Sequence, residues 1–81
     1  MTVLVENIDK LHTTVLGLER IKRNLDLKTR DVVSWCKGQI RRADEIIRKG
    51  KNWYAYKDGA VITVNAHSYT IITAHKRNAE K

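Results

Sequence analysis

Three histidines, His12, His67 and His75, are the residues of this 81-residue chain best suited to move protons near neutral pH. Arg20, Lys51 and Lys76 suit a phosphate, and Tyr69 can donate a hydrogen bond or offer a stacking surface. These types fit one reaction in particular, the cleavage of RNA without a metal. A base takes the proton of the ribose 2′-hydroxyl, an acid protonates the leaving 5′-oxygen, and cations stabilise the charge that builds on the phosphoryl oxygens.

The carboxylates supply the matching exclusion. Between Lys51 and Asn78 the only acid is Asp58, in a turn. Metal-dependent phosphodiester chemistry needs clustered carboxylates to hold magnesium. Nor do Cys36 and the histidines have the paired spacing of a zinc site, so neither a metal nor another cofactor is expected. Cys36 itself falls on an apolar stripe and reads as core rather than nucleophile.

Each candidate also has an ordinary reading. His67 sits in a turn, where a surface histidine is unremarkable, and His75 ends a strand beside Lys76 and Arg77. His12 lies between two helical segments and could serve as a cap. Arg20 has no acid three or four residues away, so a solvated helix charge explains it equally well. Trp35 and Trp53 are better read as packing residues than as platforms for bases.

Charge strengthens the case for an anionic partner. The net charge is +7, and its distribution is uneven. Residues 1–27 are neutral, with four basic and four acidic side chains. The excess lies beyond them, in Lys37, Arg41, Arg42, Arg48, Lys49, Lys51, Lys76 and Arg77 above all. A one-sided field of this kind concentrates polyanions, with RNA favoured, or an acidic protein.

The elements that must position these residues follow from periodicity. Leu4, Ile8, Leu11, Val15, Leu18 and Leu25 recur at helical spacing, and Thr13 or Thr14 can cap a new helix. Two helices are therefore expected, about 3–11 and 14–25. Thr29 as cap, Asp31 in the first turn, the stripe Val33, Cys36, Ile40, Ala43 and Ile47, and Gly50 as stop predict a basic helix over 30–49. Beyond Gly50 the period shortens. Asn52–Tyr56, Ala60–Ala66 and Tyr69–His75 read as three strands, with Asp58-Gly59 as a hairpin turn. Alternation turns Ile62, Val64 and Ile72 toward the helices and Thr63, Asn65, Thr73 and His75 away, which leaves Ile71 on the polar side.

The expected fold is α+β, with N-terminal helices packed on a C-terminal three-stranded antiparallel meander. Residues 1–81 read as one domain: a helical segment 1–27, a basic amphipathic helix 28–50 and a sheet 51–77. A domain this small often gains support from a second subunit, so a homodimer is one expectation. No signal-peptide pattern is visible and no apolar run nears the roughly 20 residues of a membrane span, which together with a lone thiol predicts the cytoplasm.

The stretches LHTTVLGLERIKRNL, DVVSWCKGQI, RKGKNWYAYKDG and ITVNAHSYTIITAHK resemble a family of small bacterial proteins, domain-of-unknown-function family 3781. A fainter likeness joins the helix bearing His12 and Arg20, the helix opening at Asp31-Val32-Val33, and the strand holding Ile71-Ile72-Thr73-Ala74. In that order the chain is similar to RelE-like toxins of the barnase–EndoU–colicin–RelE ribonuclease superfamily. This second resemblance implies metal-independent endoribonuclease activity of the toxin type. By position it implicates His12, Arg20, Tyr69, Thr73 and His75. The competing expectation is a module that binds without turnover, such as a phage or mobile-element regulator or an inhibitor of a nucleic-acid machine, for example an anti-CRISPR protein.

Overall fold

The computed structural model describes residues 3–76. The chain opens with a single helical turn, α1 (Val3–Glu6), and a 3-10 turn at Ile8–Lys10. Two longer helices follow, α2 (Val15–Leu25) and α3 (Val32–Arg41). Four strands then run in sequence order, β1 (Glu45–Lys49), β2 (Asn52–Lys57), β3 (Ala60–Asn65) and β4 (Ile71–Lys76). They form one antiparallel meander, β1-β2-β3-β4.

The class is α+β, but the sheet has four strands, not three. The expected helix over 30–49 stops at Arg41, and its last turns become β1. Ile46 and Ile47 are β-branched and favour the pleated surface. Gly50 works as a hairpin residue, at φ 61, rather than as a helix stop, so Arg48 and Lys49 lie on a strand. The N-cap is likewise displaced. Asp31, not Thr29, caps α3, accepting from the Ser34 amide at 3.0 Å and the Ser34 hydroxyl at 2.8 Å. Those two bonds, the amide first, hold the Asp31 carboxyl below its usual range. Thr14 caps α2, with its hydroxyl oxygen 3.0 Å from the Gly17 amide nitrogen. Asp58 and Gly59 both take positive φ, as the Asp-Gly hairpin turn requires.

Both longer helices lie on one face of the sheet. Ile21 from α2 and Val32, Cys36 and Ile40 from α3 pack with Trp53, Ala55, Ile62, Val64, Ile71 and Ala74, all buried. Alternation failed in one place. Thr63 pairs with Thr73 and Val64 with Ile71, so Ile72 is a spare residue in a β-bulge. The bulge turns Ile71 into the core and leaves Ile72 36% exposed, the reverse of the alternating assignment. No helix among the described residues is long and apolar enough to cross a membrane.

Candidate nucleic-acid interface

The face of the sheet opposite the helices carries three rows of side chains, read directly from the strand register. Ile47, Tyr54, Thr63 and Thr73 form the middle row. Glu45, Tyr56, Val61 and His75 lie on one side of it, and Lys49, Asn52 and Asn65 on the other. None of these residues belongs to the helix-side core. Val61 and Thr63 are buried beneath their neighbours, so what remains accessible is mixed: Ile47, two tyrosines, two asparagine amides, the Thr73 hydroxyl, one imidazole, one lysine and a single acid. Ile47, Lys49, Tyr54 and Tyr56 together line a shallow depression near the β1 edge.

At the Lys49 end of the sheet the loop between β3 and β4 is held tightly. Asn65 Oδ1 accepts from the amides of His67 and Ser68, each at 2.9 Å. Tyr69 is left at φ 60, a strained setting for a bulky residue. Its ring packs 5.5 Å from Trp53, with the Lys10 ammonium over Tyr69 and the Arg48 guanidinium over Trp53, each 5.5 Å from the ring centre. Tyr69 and Trp53 are thus committed to packing and to cation–π contacts.

The predicted catalytic residues meet only in part. His12 forms a parallel bridge with Thr70, and its Nε2 lies 3.1 Å from Thr70 Oγ1. Its Nδ1 is 3.0 Å from the Lys10 carbonyl, which can only accept, so Nδ1 carries a proton. His12 thus ties the N-terminal segment to β4. His67 is exposed in the adjoining turn. His75 is at the far end of β4, paired with Val61, on the order of 15 Å along the strand from Thr70. Thr73 sits between them on the open face, its hydroxyl 3.5 Å from Asn24 Nδ2 of α2. Arg20 is exposed one turn before Asn24.

The predicted basic residues also divide. Lys37 and Arg41 share one face of α3, with Arg42 just after it. Arg48, Lys49 and Lys51 surround the β1–β2 turn, Lys76 ends β4, and Arg77 lies outside the described residues. Among the described residues no group of three or more His, Cys, Asp or Glu side chains could hold a metal ion. Burial pushes the Cys36 thiol up to about 12, which keeps it protonated and inert at neutral pH.

Tyr54, Tyr56 and Ile47 are the site residues that the sequence reading passed over. The signal was present in NWYAYK, where i, i+2 spacing puts both tyrosines on one face. Without β1 beside them, nothing in the sequence marked that face as a platform.

No significant match exists among curated proteins or solved structures. A family model described as a protein of unknown function, DUF3781, matches residues 5–75, nearly the whole fold from α1 through β4. The chain, whose two longer helices cover one face of its four-stranded sheet, belongs to the DUF3781 family.

Proposed function

We propose that this protein binds single-stranded RNA across the open face of its sheet. The observation that carries the reading is the pair Tyr54 and Tyr56 on the face opposite the helices, beside Lys49, Asn52, Asn65 and Thr73, with Thr63 buried beneath them. The two rings project from positions about 7 Å apart. The deep, narrow major groove of duplex RNA does not admit a sheet, but unstacked bases can lie on aromatic rings while amides and hydroxyls read their edges. The net charge of +7 supplies attraction that does not depend on sequence.

Fluorescence anisotropy with a labelled single-stranded oligonucleotide tests this. Replacing Tyr54 or Tyr56 by Ala weakens binding roughly tenfold each, from stacking worth about 1–3 kcal/mol per base. Affinity also falls steeply with salt. If the tyrosine variants bind like the parent, while charge reversal at Arg41 and Arg42 abolishes binding, α3 is the interface and the open face is not.

RNA cleavage in the manner of RelE-like toxins is a second reading. It draws on His12, whose Nδ1 partner fixes the ring with Nε2 toward Thr70. It predicts products that form in the presence of a chelator and disappear in His12→Ala. Binding without products assigns the protein to the non-catalytic class, which includes regulators and inhibitors of nucleic-acid machines.

A further inference from the structure

We infer that two copies of this chain pair through their β1 strands, antiparallel about Ile47, to form one continuous eight-stranded sheet. β1 is the outer strand of the meander, and among the described residues its outward side has no neighbouring strand. Which backbone groups point outward follows from the hairpin. Lys49 and Asn52 flank a two-residue turn, so they, and with them Ile47–Tyr54, are the hydrogen-bonded pairs. The amides and carbonyls of Ile46 and Arg48 therefore face away from β2.

A second β1 in the two-fold register places Ile47 opposite Ile47, Ile46 opposite Arg48, and Glu45 opposite Lys49. The Ile46–Arg48 pairs are then the hydrogen-bonded ones, and four backbone bonds form with the groups that the hairpin leaves free. Ile47–Ile47 and Glu45–Lys49 fall at non-hydrogen-bonded positions, where side chains approach most closely. Ile47 is 39% exposed in the single chain and lines a shallow depression with Lys49, Tyr54 and Tyr56. Neither Glu45 nor Lys49 has an ion pair among the described residues.

The strand sequence Glu45-Ile46-Ile47-Arg48-Lys49 is thus its own complement when reversed. Charge on an edge strand commonly serves to repel other strands. Here opposite signs at the two ends of β1 do the reverse for an antiparallel copy, while they disfavour a parallel one. Pairing would also set four tyrosines on one face, but it does not depend on RNA.

Sedimentation velocity of the purified chain without nucleic acid, from low micromolar to near-millimolar concentration, provides the test. The parent shifts from monomer to dimer as concentration rises. Glu45→Lys and Lys49→Glu each put like charges at both ends of the junction and weaken association at least about tenfold. The double variant E45K/K49E restores opposite charges and recovers the dimer. In parallel, hydrogen exchange shows the amides of Ile46 and Arg48 becoming protected as concentration rises. A parent that stays monomeric throughout, or single reversals that associate like the parent, overturns the proposal.

Discussion

Along β4 outward backbone groups of Ile71 and Ala74 have partners, whereas along β1 those of Ile46 and Arg48 have none among the described residues. The Ile71 amide donates to the His12 carbonyl at 2.7 Å, the Thr13 hydroxyl donates to the Ile71 carbonyl at 2.8 Å, and Asn24 Nδ2 donates to the Ala74 carbonyl at 3.2 Å. Two side chains and a stretch of backbone from the N-terminal part of the chain therefore seal one edge. The other edge, β1, carries Glu45, Arg48 and Lys49 around Ile46 and Ile47 and is exposed except at the half-buried Ile46. Most unpaired edges invite unwanted pairing, and the chain spends its first helices preventing that on one side alone. The difference teaches where to look for function: the sealed edge is architecture, and the open edge and the face beside it are available to partners.

Substitutions can break this contrast at either edge. The largest effect belongs to Ile21→Ala, which empties a fully buried position where α2 meets the core. We expect a loss of about 3 kcal/mol in urea unfolding. Gly17→Ala follows. A methyl group there would overlap Thr13 Oγ1 and lie 3.2 Å from Thr14 Oγ1, so the gain in helix propensity is outweighed, with a net loss of about 1–2 kcal/mol. Thr13→Val removes only the bond to Ile71 and costs about 1 kcal/mol by thermal unfolding. At the open edge Ile47→Ser, which loses β-propensity and a partly buried contact outside the core cluster, should cost the single chain no more than about 1 kcal/mol. A large destabilisation by Ile47→Ser at low concentration would show that β1 is as integrated as β4 and would erase the contrast.

Much of the sealed side was legible in the sequence. The spacing of Val15, Leu18 and Leu25 and the threonine cap announced α2, and Asp58-Gly59 announced the β2–β3 hairpin. β1 was not legible. Ala43, Ile46 and Ile47 continue the helical spacing of Val32, Cys36 and Ile40, and Gly50 serves a helix end and a hairpin turn equally well. The bulge at Ile72 was hidden for a related reason, since alternation assumes an unbroken register. The candidate site suffered most. The contact between His12 and Thr70 spans 58 residues, and only the fold decides which polar residues of the last strands lie near His12 and which, like His75, lie far away.

That same long-range tie fixes an order of events during synthesis. The segment around His12 leaves the ribosome early, yet its partners at Tyr69, Thr70 and Ile71 are among the last residues of the fold to emerge. The opening helices therefore have no seat until the final strand exists. A ribosome stalled before β4 would display Ile21 and its apolar neighbours to chaperones and proteases.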